Sequence, residues 1–319
     1  MLSRRHLLIG AAVAGLAPSG IARAAAKPSE INIDWATYNP VSMYLKDHGL
    51  MEKEFAKDGI GIRWVQTLGS NKALEFLNAG SIDFGSSAGA AALVSKINGN
   101  PIKSIYVYSK PEWTALVTRK DTNIQKITDL KGKRVAVTRG TDPHIFLVRA
   151  LLSVGMTEKD ISEVLLQHPD GKTALIRGDV DAWAGLDPMM AQAEIEDGAR
   201  LFYRNADANT YGILSTRIAF LQDHLDLVKR VLAVYETARK YCLAHPADME
   251  ASFIAATKLP KLVVEKQLNE RTDITNGHIG ASQRDSIFQA GLALQKAGVI
   301  PADVDVKKAV DDLIDNRYV

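Results

Sequence analysis

Hydrophobic and polar positions follow one another in a fixed order that occurs twice along the chain. Ile31-Asn32-Ile33-Asp34-Trp35 alternates with period two and predicts a strand. A polar loop with Pro40 follows, then helical spacing from about Val41 to His48 that stops at Gly49. Gly61 to Gln66 predicts a second strand and Asn71 to Asn78 an amphipathic helix ending at Gly80. Ser81-Ile82-Asp83-Phe84 then leads into Gly85-Ser86-Ser87. The order returns with a strand at Arg134 to Thr138, a loop with Pro143, and a helix from about His144 to Val154 stopping at Gly155. Glu163 to Gln167 predicts a strand, Gly171 to Arg177 a short helix ending at Gly178, and Val180-Asp181-Ala182-Trp183 leads into Leu186-Asp187-Pro188. Gly80 and Gly178, like Asp83 and Asp181, lie 98 residues apart. A glycine after each helix suits a left-handed C-terminal cap.

This pattern predicts an α/β protein of two similarly built βαβ-type lobes. Trp113 to Thr118 and Tyr211 to Thr216 read as two β-like crossing segments. The chain is therefore expected to form lobe 1 from residues 27–114 and 217–319 and lobe 2 from residues 115–216. The last hundred residues read as mostly helical. There Leu225, Val228, Leu232, Tyr235, Ala238 and Cys242 share one helix face, which makes the single cysteine a core residue.

Charge changes the picture at the N-terminus. The 319 residues carry 39 Lys and Arg against 37 Asp and Glu. Residues 1–26 hold Arg4, Arg5 and Arg23 and no acid, so the remainder is near neutrality. No basic domain points to nucleic acid. Paired arginines, the apolar stretch Leu7 to Ala17, and the small-residue sites Ala22-Arg23-Ala24 and Ala24-Ala25-Ala26 read as a cleavable, twin-arginine-like export signal. Cys242 is too far away to carry an N-terminal lipid. A soluble periplasmic protein is expected, and a monomer.

In open α/β sheets ligands sit beyond the C-terminal strand ends, beside helix N-termini. The loops there offer Tyr38, Asn39 and Ser42; Ser86 and Ser87; Thr141, Asp142 and His144; and Asp187. Trp183 and Tyr211 add aromatic walls. Ser86, Ser87 and Thr141 are expected to donate hydrogen bonds to an anion, with Tyr38, Asn39 and Trp183 orienting the rest of the ligand. Side chains of these types also cap helices, and Asp142 before Pro143 fits that alternative. The seven histidines form no tight metal-ligand motif, so no metal or other cofactor is expected. Gly85-Ser86-Ser87-Ala88-Gly89 matches G-x-S-x-G, which leaves a serine hydrolase using Ser87, Asp187 and His278 as an enzymatic alternative.

Three segments carry a family resemblance: Ala79 to Ser87, Thr128 to Ala136, and Gly178 to Pro188. They resemble the ABC-transporter substrate-binding proteins of the aliphatic sulfonate, taurine and nitrate family, over nearly all of residues 28–319. The resemblance implies a bilobal type II periplasmic-binding-protein fold. It also implies a non-enzymatic role: capture of a small organic anion, an alkanesulfonate or taurine-like compound, for delivery to a membrane permease and its ATPase. One position departs. Where sulfonate binders resemble Gly-Ser-Ser-Ser-His, this chain has Gly140-Thr141-Asp142-Pro143-His144. A carboxylate there would repel an anion unless Arg139 offsets it, so nitrate, a carboxylate, a zwitterion or a pyrimidine precursor stay open as ligands.

Overall fold

The computed structural model describes residues 26–318; the expected export signal lies outside the described residues except for Ala26. Among the described residues eleven strands form two sheets. They are β1 (Glu30–Trp35), β2 (Gly61–Gln66), β3 (Phe84–Ala88), β4 (Ile102–Pro111), β5 (Leu116–Thr118), β6 (Arg134–Val137), β7 (Ser162–Leu165), β8 (Ala182–Ala184), β9 (Arg200–Tyr203), β10 (Gly212–Arg217) and β11 (Thr272–Asp273). The helices are α1 (Pro40–Asp47), α2 (Leu50–Phe55), α3 (Ser70–Asn78), α4 (Gly89–Ile97), α5 (Asp142–Ser153), α6 (His168–Arg177), α7 (Met189–Asp197), α8 (Ile218–Asp223), α9 (Leu225–Ala244), α10 (Pro246–Thr257), α11 (Lys261–Arg271), α12 (Ala281–Lys296) and α13 (Val306–Leu313).

The six-stranded sheet runs β11-β4-β10-β3-β1-β2 and the five-stranded sheet β7-β6-β8-β5-β9. Each holds three parallel strands joined through helices (β2-β1-β3 and β7-β6-β8), followed by an antiparallel strand. That antiparallel strand is the one the chain forms just after crossing between the sheets: β5 on the way in, β10 on the way back. Gly212 to Thr216, expected within lobe 2, therefore pair with β3 and β4 of the first sheet. Apolar alternation marks a strand but not its partner. Its register with β3 puts Ile213 opposite Ser87 and Leu214 opposite Ser86.

The internal repeat survives at atomic level. Gly80 and Gly178 both have left-handed backbone, with φ of 70° and 82°. Asp83 accepts a hydrogen bond from the Asn32 backbone at 2.8 Å, and Asp181 accepts one from the Arg134 backbone at 2.9 Å. Both acids thus lock a central parallel strand at its start. The sequence placed the start of α6 too late. His168 opens it and Pro169 occupies its first turn, where no N–H is missed. Gly171 fits there because the Trp183 ring leaves no room for more: a Cβ would lie 2.7 Å from Trp183 Nε1.

One apolar core joins the first sheet to the C-terminal helices. Cys242 is fully buried in it, and burial pushes its thiol up to about 12, which leaves it unreactive at neutral pH. The second sheet packs separate clusters on its two faces.

Candidate functional site

The first-sheet loops converge on a buried carboxylate. Asp34, at the end of β1, accepts from the Ser86 backbone (2.9 Å), from Ser86 Oγ (2.8 Å) and from Thr67 Oγ1 (2.8 Å). Burial nevertheless lifts its carboxyl to about 6. Asn39 caps α1 through Ser42 N and donates from Nδ2 to Ser86 Oγ at 2.8 Å. Ser42 Oγ donates to the Asn39 carbonyl and accepts from Ala36 N. Tyr38 hydroxyl lies 2.8 Å from Thr67 Oγ1 and donates to the Ser86 carbonyl at 3.1 Å. These bonds commit the Asn39 and Ser86 side chains to each other and the Ser42 hydroxyl to the backbone of its own loop. They shape the loop and leave the Ser86 hydroxyl no proton for an anion, which corrects the role expected of it. Ser87 Oγ is buried without a hydrogen-bond partner, and no described histidine serves it as a base.

From the second sheet, Thr141 precedes α5 but its hydroxyl donates to the Thr138 carbonyl at 2.6 Å, so it neither caps the helix nor has a free proton. Asp142, fully buried, accepts from Trp113 Nε1 (2.8 Å), Thr210 N (2.9 Å) and Thr210 Oγ1 (2.7 Å). Trp113 opens the first crossing segment and Thr210 directly precedes the second, so Asp142 ties the start of α5 to the entry of both. Burial raises its carboxyl despite these bonds. The stretches leading into the two crossings are also bonded together, through Thr114 N and Asn209 Oδ1 (3.0 Å) and through the paired contacts of Arg204 with Glu112 (2.8 Å each).

Four other expected site residues stand elsewhere. Trp183 is fully buried in the second sheet's core, because a three-residue strand turns it to the packed face. His144 bonds Glu158 at 2.8 Å. Tyr211 borders a separate groove of about 300 Å³ with Lys110, Arg149 and Asp207. Asp187 is fully buried in an ion pair with Arg271 of α11, at 3.1 and 3.2 Å, and accepts from Ala191 N of α7. Burial lifts its carboxyl to about 6 against the pull of Arg271.

Residues from both sheets and a crossing also meet around a small cavity of about 10 Å³. Tyr38 and Ser70 reach it from the first sheet, Trp113 from a crossing, and Thr141, Asp142, Pro143, His168 and Leu186 from the second. Sequence reasoning missed Ser70 and His168, although each opens its helix and His168 lies one repeat offset beyond Ser70. His168 Nδ1 is 3.2 Å from Thr138 Oγ1, whose proton goes to the Leu166 carbonyl at 2.6 Å. Nδ1 therefore carries the ring hydrogen and Nε2, buried and unpartnered, is an acceptor. Burial holds the imidazole neutral by lowering it to about 3. The starts of α3, α5 and α6 all border the cavity, and none is capped by a side chain. Their first-turn N–H groups suit a negative charge.

Known proteins of like sequence and shape point the same way. A protein of Escherichia coli (strain K12) named "Putative aliphatic sulfonates-binding protein" is 27% identical over 308 residues, covering 95% of this chain and 96% of that one. The alkanesulfonate-binding protein of Xanthomonas axonopodis pv. citri, solved bound to MOPS, superposes with a TM-score of 0.81 at 24% identity, over 92% of this chain and all (100%) of the other. The periplasmic aliphatic sulphonate binding protein of Escherichia coli gives a TM-score of 0.74 at 26% identity, over 89% and 92%. The fold is thus that of the periplasmic binding proteins, as the resemblance implied. Since the family model described as NMT1/THI5 like matches residues 53–249, the chain belongs to the NMT1/THI5-like family.

Proposed function

We propose that this protein is the solute-binding component of an ABC importer and closes its two lobes around the anionic head of a small organic molecule, an aliphatic sulfonate before others. The observation that carries this reading is the meeting of three uncapped helix N-termini at one interlobe cavity. Backbone N–H groups from both lobes can then hold a sulfonate that neither Ser86 nor Thr141 has a proton to bind. His168 Nε2 accepts from a hydroxyl or amine on the same ligand. A cavity of about 10 Å³ has room for one water at most, so a ligand enters only when the lobes part. The lobes are taken as residues 27–114 with 212–319, and residues 115–211. Parting and closing alter the outer face offered to a permease and its ATPase. No covalent step is needed, a monomer suffices, and residues 1–26 direct export to the periplasm. Among the described residues no helix is long and apolar enough to cross a membrane.

Thermal unfolding of the mature protein tests the ligand class. Alkanesulfonates or taurine at a hundred times Kd should stabilise it by about 2.7 kcal/mol. A response to nitrate, carboxylates or pyrimidines with none to sulfonates overturns the assignment. The placement of the site has its own test in Gly69, whose extended backbone (φ 167°) tolerates a side chain. A Cβ there would stand 2.9 Å from Asn71 Oδ1 and 3.2 Å from His168 Nε2. Gly69→Ala is expected to weaken sulfonate binding about tenfold, by about 1.4 kcal/mol. Its ligand-free melting temperature should stay within about 2 °C of the parent. Unchanged affinity would place the ligand elsewhere.

A further inference from the structure

A second site of different chemistry stands on the second lobe. Helix α5, the turn at Glu158–Asp160 and strand β7 bring His144, Glu158 and Glu163 together, with one donor atom of each within 4.8 Å of the others. His144 Nε2 is 2.8 Å from Glu158 Oε1 and 4.0 Å from Glu163 Oε1. The His144 and Glu163 side chains are only 6% and 11% exposed. Glu163 Oε1 is buried and meets no hydrogen-bond donor. The only guanidinium at the cluster among the described ion pairs is Arg139, 2.5 Å from Glu163 Oε2 and 3.8 Å from Glu158 Oε1, and its side chain is 59% exposed.

An orphaned carboxylate oxygen in a buried place costs free energy that a hydrogen bond or a cation offsets. We propose that His144, Glu158 and Glu163 bind a divalent first-row cation of the Zn²⁺ type. One imidazole nitrogen with two carboxylate oxygens is a donor set for such ions, whereas Ca²⁺ and Mg²⁺ favour oxygen alone. Two carboxylates balance the charge of the ion. The ion takes the place of the hydrogen that Nε2 shares with Glu158, and the exposed Arg139 swings into solvent. Three protein ligands leave a coordination position open. His144 and Glu158 also line a cavity of about 430 Å³ whose opposite wall is Ala91 and Val94 of α4 and Asn98 just after it, in the first lobe. The open position is therefore reachable by water or a solute donor from between the lobes.

The test is titration calorimetry of untagged mature protein, freed of metal by chelator, with ZnCl2, CaCl2 and MgCl2 in separate runs. Zn²⁺ is expected to bind one per chain, with proton release seen as a buffer-dependent heat, and far more tightly than the other two. His144→Gln and Glu163→Gln should each weaken it at least about tenfold, while their metal-free melting curves report that they fold. Arg139→Ala removes the competing cation and should bind Zn²⁺ at least as tightly as the parent. The proposal is overturned by the absence of saturable one-to-one uptake, by Ca²⁺ binding as tightly as Zn²⁺, by uptake unchanged in both glutamine variants, or by its loss in Arg139→Ala.

Discussion

Arg271→Ala should destabilise the protein by about 3–5 kcal/mol near neutral pH, the cost of stranding a buried charge. The Arg271 side chain is 1% exposed and Asp187 is 0% exposed, so neither charge can turn to water. Arg271 also pairs with Glu194 of α7. This cluster is an ionic clasp that holds α11 to α7, across the proposed division between the lobes. The loss should depend on pH with a definite sign. The Asp187 carboxyl already sits near 6 in the folded protein, above its ordinary value of 3.8, so the folded state holds its proton more tightly than the unfolded chain. That contribution to stability is complete below about pH 4 and fades as pH rises through 6. Removing Arg271 raises the carboxyl further, and protonation below pH 5 then relieves the stranded charge. Urea titrations at pH 4.5 and 7.5 should show the smaller deficit at the lower pH. Arg271→Ala combined with Asp187→Asn should recover at least half of the deficit at pH 7.5. An equal loss at both pH values, with no recovery, would mean that packing rather than charge holds this contact.

Asp142→Ala is expected to cost about 3 kcal/mol or more without ligand, because three buried donors lose their acceptor together. Asp142→Asn should be far milder. Its carbonyl oxygen can still accept from Trp113 Nε1 and Thr210 N, both now on one carboxylate oxygen, while its amide meets Thr210 Oγ1, whose hydroxyl can rotate to accept. Denaturant unfolding and ligand titration of both variants separate the possible roles. If Asp142 served only the ligand, alanine would change affinity and leave unliganded stability nearly intact. A ligand-free midpoint equal to the parent's would therefore refute its place as the tie between the crossings.

The architecture was legible because it rests on local signals. Gly80 and Gly178 end helices by their own backbone preference, and Asp83 and Asp181 repeat the same strand lock. Of the residues expected on loops at the strand ends, Tyr38, Thr141 and Asp142 border the interlobe cavity, whereas Ser86 and Ser87 lie inside β3, paired with β10. What the loops do with their polar groups was hidden. Ser86 reads as a free hydroxyl until Asp34, 52 residues away, takes its proton. Asp187 reads as a loop acid until Arg271, 84 residues later, meets it. Both are competitions between distant partners that no local spacing records. Trp183 failed for a different reason: face parity in a strand of three residues cannot be read from so short a run. His168 was recoverable in principle, since the offset relating Gly80 to Gly178 also relates Ser70 to His168.

The place of β10 has a consequence for how the protein comes into being. The five-stranded sheet is made from one continuous stretch, β5 to β9, and every strand of it exists once Tyr203 has been synthesised. The six-stranded sheet is older in the chain but must wait, because the strand between β3 and β4 is Gly212–Arg217. Until those residues arrive, β3 and β4 each present an open edge to any other chain nearby. The lobe begun first is finished last: the gap between β3 and β4 closes only at the second crossing, and the outer edge of β4 only when β11 follows.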